Sequence, residues 1–293
     1  MRYIFMKFIL LLFIILFSCK AEPDREHQID PVSDKLTEQQ EPVQSLFNPK
    51  GSTVESRIRT LDNYQRVAVD EDSYEQYLRK LPLKPDGSSV QYYNGGVKSN
   101  YNTYSAVADL PIGNENLHQC ADAIMRLRAE YLWRSGQYDQ IHFNFTNGFT
   151  VEYSEWMKGR RMIVEGNRSY WDDGRNPSNS YEDFWNYMEL IFMYAGTASL
   201  ENELVPLEGD EAEIGDILIQ GGFPGHAVII VDKARHEESG DPVYLLAQSY
   251  MPAQEIQVLQ NPMDSKISPW YEFKDTRIET PEWIFYKEDL RSF

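Results

Sequence analysis

The stretch Gly215-Asp216-Ile217-Leu218-Ile219-Gln220, then Gly221-Gly222-Phe223-Pro224, then Gly225-His226-Ala227-Val228-Ile229-Ile230-Val231-Asp232 sets the fold class. Two apolar runs of strand length are parted by glycine and proline, residues that break regular structure and turn the chain. They read as consecutive strands over 216–220 and 226–232, with His226 opening the second at the rim of a sheet. Toward the C-terminus the pattern repeats at 243–248 and 255–259, giving four successive strands. Residues 283–286 are expected to add a last strand, and 287–293 to close the chain.

Toward the N-terminus the apolar spacing changes to that of helices. Leu117, Cys120, Ala121, Ile124, Leu127, Arg128, Tyr131 and Leu132 recur at helical intervals, predicting a helix over 117–133 capped by Asn114 or Asn116 and ended by Gly136. His118, Asp122, Arg126 and Glu130 fall largely outside that stripe. A second long helix is expected over 181–200, with shorter ones over 54–61 and 73–81. Short strands are expected at 107–110, 140–146 and 162–165, and residues 83–100 read as an irregular excursion. Helices preceding a mostly antiparallel sheet make the class α+β. One domain is expected over 51–293, with an insertion around 147–210.

Cys120 lies in or just after the first turn of its helix, where unpaired N–H groups and the helix dipole favour a thiolate. His226 follows about a hundred residues later, and Gln248 ends the next strand, where its amide oxygen could orient the imidazole. Cysteine, histidine and a polar orienting residue in that order follow the logic of a Cys-His nucleophilic site. The expected catalytic set is Cys120, His226 and Gln248. A cysteine on an apolar helix face is also a small buried hydrophobe, and His226 also suits a structural bond to a loop carbonyl. His118 is read as a solvated helix residue, His142 as surface or structural, and His236 as part of a hairpin loop. Trp156, Tyr170, Trp171, Trp185, Tyr250 and Trp270 are candidates to line a groove for sugar rings or an extended peptide.

The cysteine-led helix followed by Gly215-Asp216 and Gly225-His226 strands resembles the papain-like cysteine hydrolases of bacterial cell walls, the NlpC-type endopeptidases and CHAP amidases, over roughly residues 114–250. The resemblance implies a papain-like fold, Cys120 as nucleophile, His226 as base, Gln248 as third polar residue, and a mainly structural Asp216. The chain departs from the usual Asp-Cys-Ser signature with Gln119-Cys120-Ala121-Asp122. Across its length, phrases such as Gln119–Arg128, Ala247–Gln254 and Thr280-Pro281-Glu282-Trp283 resemble a Bacteroidetes lipoprotein family, domain of unknown function 4846. That family supplies no activity. Two functional readings follow: a cysteine peptidase or amidase acting on cell-wall peptides or another amide, and a non-catalytic glycan- or peptide-binding lipoprotein.

The chain opens MRYIFMKFILLLFIILFSC. Arg2 and Lys7 precede an apolar run over 8–17, about ten residues, whereas a ~30 Å hydrocarbon core needs roughly twenty as helix. This is the length of a signal-peptide core, and Leu16-Phe17-Ser18-Cys19 resembles a lipobox, making Cys19 the acylated N-terminus of an envelope protein, in the outer membrane by preference. Residues 20–50 are polar and acidic and read as a tether. The chain carries 28 basic against 46 acidic side chains, a balance that repels nucleic acid. Cys19 and Cys120 are its two cysteines, so lipidation of the first leaves Cys120 without a disulfide partner. No cofactor is expected, and no His or Cys spacing suggests a metal site. The expected partners are the membrane, through the lipid on Cys19, and peptidoglycan or another glycan or peptide. Mass spectrometry of the membrane-bound protein should find a mature chain beginning at a diacylated or triacylated Cys19; an unmodified Cys19 or a different start would refute the assignment.

Overall fold

The structure, a computed structural model, describes residues 45–209 and 211–293. The signal segment, Cys19 and the tether up to residue 44 lie outside the described residues. Residues 45–50, polar enough to read as tether, pair with the first helix: Phe47 bridges Ile58, and the Asn48 N–H donates to Arg57 O at 2.8 Å.

Six helices are present among the described residues: α1 (Val54–Arg57), α2 (Tyr74–Arg79), α3 (Cys120–Arg134), α4 (Tyr153–Met157), α5 (Tyr181–Tyr194) and α6 (Thr197–Glu203). A nine-stranded sheet contains β1 (Tyr64–Arg66), β2 (Tyr104–Val107), β3 (Val205–Pro206), β4 (Ile217–Gln220), β5 (His226–His236), β6 (Pro242–Gln248), β7 (Gln257–Leu259), β8 (Trp270–Tyr271) and β9 (Leu290–Ser292). Its order is β2-β7-β6-β5-β4-β9-β3, with β1 also on β5 and β8 on β6, and every pairing is antiparallel. The protein is mixed α and β, with an open antiparallel sheet. Among the described residues no helix is long and apolar enough to cross a membrane.

The unbroken apolar run of β5 has a simple cause: both faces of the strand are covered. Ala227, Ile229 and Val231 join the core under the helices, while Val228 and Ile230 join a second core with Tyr244, Leu246, Tyr271 and Phe285. A strand buried on both faces loses the apolar–polar alternation of a half-exposed one.

Several boundaries differ from the sequence expectation. The helix expected over 181–200 is two helices, because Ala195 and Gly196 are extended and the Gly196 N–H is taken by Ser199 Oγ at 3.0 Å. Glycine loses most conformational freedom inside a helix, and a serine three residues on offers a cap instead. Residues Ile284–Tyr286 pair with Arg277–Glu279 in a separate hairpin, and Leu290–Ser292 is the strand that enters the main sheet. Two further hairpins, His142–Asn144 with Thr150–Glu152 and Arg160–Glu165 with Arg168–Asp173, occupy the middle section beside α5.

One buried charge ties the N-terminal elements to the sheet. Asp232 on β5 is 0% exposed and accepts from Arg66 Nε at 2.6 Å and Arg79 Nε at 2.7 Å. Removing one member of a buried ion network leaves uncompensated charge and costs about 3–5 kcal/mol. Asp232→Ala should lower the unfolding free energy in urea by about that amount; a loss below about 1 kcal/mol would show that the pairing carries little stability.

Candidate active site

Cys120 is the first residue of α3, and the helix start is pinned to the end of β6. The Ser249 hydroxyl lies 2.7 Å from Gln254 O and 3.0 Å from His118 O, its proton shared between the two carbonyls. Asn116 Oδ1 accepts from the Ala253 N–H at 2.8 Å. Cys120 is buried, and the backbone N–H groups of Ala121, Ala227 and Cys120 itself act to lower its thiol pKa. Ala227 directly follows His226, so the helix start and the strand start do meet. The sulfur lines a cleft of about 440 Å³ that also touches Asp122, Phe192, Thr197, Phe223 and Met251.

His226 is buried and bonded as expected: its Nε2 lies 2.8 Å from Gln248 Oε1. The amide orientation is set from its other end, where Gln248 Nε2 donates to Glu282 Oε2 at 2.6 Å, and Lys98 Nζ donates to the same oxygen at 2.6 Å. Because a carboxylate accepts only, Gln248 must present its oxygen to the imidazole. His226 therefore carries its proton on Nε2, and Nδ1 is left with a lone pair. Tyr250, Trp283 and Phe285 surround the ring, with centroids 4.8, 5.4 and 5.8 Å away. The pleat puts His226 on the face of Val228 and Ile230, toward Trp283 and Phe285, whereas α3 lies over the face of Ala227. Accordingly thiol and imidazole make no hydrogen bond to each other, and His226 is not among the residues that line the Cys120 cleft.

The glycines of the two strand starts have steric reasons. A Cβ on Gly225 would fall 2.3 Å from Thr197 Oγ1 and 2.7 Å from Gln220 O. Gly215 has φ +99° and packs against the Tyr74 ring. Asp216 serves the same turn, its Oδ2 accepting from the Glu213 N–H at 2.7 Å.

Titration runs against the expected activated thiol. Burial, then the Asp122 carboxyl, pushes the Cys120 thiol up to about 11, outweighing the backbone N–H groups that pull it down. Burial pushes His226 down to about 4 despite the bond it donates to Gln248. At neutral pH both groups are uncharged. The helix N-terminus alone does not make Cys120 a thiolate, since the cost of burying a charge exceeds what a helix end supplies.

Other candidates move. His118 is fully buried rather than solvated, its Nδ1 3.3 Å from Gln254 O, and burial with Arg126 lowers it to about 3. His142 is half-exposed and faces Glu203 at 3.3 Å; His236 packs on Tyr64. Of the proposed groove aromatics, Trp156 and Trp270 are core and Tyr250 packs on His226, while the cleft takes Phe192 and Phe223. Glu282 and Lys98, distant in sequence, gave no local signal of their role behind Gln248. Among the described residues no group of three His, Cys, Asp or Glu is placed to hold a metal.

Fold and site together define an α+β protein with a cysteine at the mouth of a helix-capped cleft and an oriented histidine on the adjoining strand. The chain belongs to the family described as domain of unknown function (4846), whose model matches residues 54–292. No curated protein and no solved structure matches the chain.

Asp122 has the most unfavourable setting in the cleft. Its Oδ2 accepts from the Gln119 N–H at 2.9 Å, its Oδ1 has no partner, and burial raises it to about 8. An unfolded aspartate titrates near 3.9, so between pH 4 and 8 the unfolded chain releases a proton that the folded one keeps. Folding stability is therefore lost as pH rises across that window, by up to about 1.4 kcal/mol per pH unit. Asp122→Asn removes this loss. Its melting temperature should match wild type near pH 4 and exceed it progressively toward pH 8; an equal or lower value at pH 8 would contradict the assigned titration.

Proposed function

We propose that the protein is an envelope-anchored cysteine hydrolase, a peptidase or amidase on a papain-like scaffold, held to the membrane by a lipid on Cys19. Cell-wall peptides are the amides nearest to a protein so anchored. The observation that carries this reading is the chain His226–Gln248–Glu282–Lys98, which fixes the imidazole tautomer and leaves Nδ1 as a free base on the strand whose start packs against the start of α3. A hydrogen-bonded relay of this length is expensive to bury, and positions a base as it would in a nucleophilic pair.

The chemistry starts from the uncharged pair. At rest the imidazole faces Trp283 and Phe285, so the step requires it to come within reach of the thiol as substrate fills the cleft. His226 Nδ1 then takes the thiol proton while sulfur attacks the carbonyl carbon, forming a tetrahedral oxyanion. Backbone N–H groups at the start of α3 face that charge. Collapse breaks the C–N bond, the Nδ1 proton passes to the leaving amine, and a thioester remains on Cys120. Water, deprotonated by the same Nδ1, then releases the acid and restores the thiol. Gln248 accepts from Nε2–H throughout, steadying the imidazolium. Phe223, 99% exposed on the cleft rim, is free to pack on the substrate.

A second reading, capture of a glycan or peptide without turnover, is favoured by the protonated thiol and by the turn of the imidazole toward Trp283 and Phe285. Digestion of peptidoglycan fragments followed by mass spectrometry separates the two. Wild type should release new amine and carboxyl ends; Cys120→Ser and His226→Ala should each lower the rate at least a hundredfold, and Gln248→Ala about tenfold or more, consistent with general-base contributions of about 10²–10⁴. Retention of fragments without any cleavage would establish the binding reading.

A further inference from the structure

The loop between β4 and β5 runs Gly221-Gly222-Phe223-Pro224-Gly225, and Phe223 at its tip is 99% exposed, more than any other large apolar side chain among the described residues. A phenyl ring left in water forgoes one of the larger gains that burial offers. The loop that carries it is held at both feet against α6. A Cβ at Gly225 would meet Thr197 Oγ1 at 2.3 Å, and one at Gly221 would meet the Ala198 Cα at 3.2 Å. Between them the Thr197 hydroxyl donates to Gly222 O at 3.2 Å. So fixed, the loop presents the ring at the rim of the Cys120 cleft, which Met251, 46% exposed, also lines. A single exposed apolar side chain is ordinary; two of this size on one cleft mark a surface that something covers.

We propose that Phe223 is the specificity-determining residue of the Cys120 cleft, packing on a large apolar side chain of a peptide substrate. This rests on reading the cleft as the substrate site. Leu117, Phe192, Ala195, Ala198 and Pro224 make much of the wall apolar. The polar side chains of the wall are already engaged within the protein. Asn116 Oδ1 accepts from the Ala253 N–H, Gln119 Nε2 donates to Asn116 O, and the Thr146 and Thr197 hydroxyls donate to Tyr194 O and Gly222 O. A sugar ring, with a hydroxyl on most of its carbons, needs more partners than such a wall leaves open. A charged side chain fares no better. Asp122 and the thiol both keep their protons at neutral pH, so the cleft offers an ion no counter-charge. An apolar side chain needs neither, and by covering Phe223 and Met251 it removes from water the surface that the fold leaves exposed. The volume of about 440 Å³ admits one such side chain with its flanking backbone.

The test uses the full chain and measures binding apart from cleavage. Cys120→Ala is titrated calorimetrically with tripeptides blocked at both ends, alanine flanking a central leucine, phenylalanine, alanine, aspartate or lysine. The leucine and phenylalanine peptides should bind about tenfold or more tightly than the alanine peptide, the discrimination a few methylenes give in an apolar pocket. The aspartate and lysine peptides should bind no better than alanine. The double variant Cys120→Ala/Phe223→Ala should lose the preference, and Cys120→Ala/Phe223→Leu should keep most of it; the ring is exposed, so both leave the fold intact. The disaccharide of N-acetylglucosamine should bind with no dependence on Phe223. Equal binding of leucine and alanine peptides, no binding of any peptide, a preference that survives Phe223→Ala, or Phe223-dependent binding of the disaccharide in place of the peptides overturns the apolar subsite. Failure of the hydrolase reading alone has a different signature: the leucine peptide binds with the same Phe223 dependence, and wild type releases no new amine or carboxyl ends from it.

Discussion

A helix buried on nearly every side governs this molecule. Ordinary amphipathic helices leave their polar stripe to water, but α3 carries Asp122, Arg126 and Glu130 inward along with its apolar residues. Each must then be answered by protein. Glu130 accepts from Tyr181 Oη at 2.5 Å and from Arg134 at 3.2 Å; Arg126 takes the Pro111 carbonyl and the face of Trp185. These obligations draw α5 and the 111–118 segment onto the helix. With its flanks held, the helix can end only where Cys120 meets β5. Two atoms of the helix are left without a partner, Arg126 Nε and Asp122 Oδ1, and Asp122 is the one beside the cleft.

The same constraint explains how His226 can be so thoroughly desolvated and still be directed. Its ring sits among aromatics that supply no hydrogen bond, so all orientation must come through a single polar line to Gln248, Glu282 and Lys98. Water would compete for each of those groups at the surface. In the interior it is excluded, and a line of three hydrogen bonds suffices to hold one tautomer.

Much of this was legible in the sequence wherever the signal was local. The runs at 217–220, 226–231 and 243–248 became β4, β5 and β6, and the placing of Gln248 beside His226 followed from one strand ending next to where its neighbour begins. The α3 periodicity gave the helix but not its surroundings: a stripe of Asp122, Arg126 and Glu130 looks solvated until α5 covers it, and the covering depends on contacts far apart in the chain. His118 was misread for the same reason, since Gln254 and Phe192 bury it. Glu282 and Lys98 lie 34 and 150 residues from Gln248, a separation across which no periodicity carries information. The cleft's protonation state was illegible too, because dipole and burial oppose each other and only packing density says which prevails.

The origin of the polar line at both extremes of the domain has a consequence for how the protein comes into being. Lys98 precedes α3 in the chain, and Glu282 lies in the turn of the hairpin formed by Arg277–Glu279 and Ile284–Tyr286. A polypeptide delivered N-terminus first can assemble helix, cleft and imidazole while the amide of Gln248 is still free to flip. Only when the last hairpin arrives does the ring acquire a fixed proton. A chain cut ahead of that hairpin would keep Cys120, His226 and Gln248 and yet lack the single carboxylate that tells the imidazole which way to face.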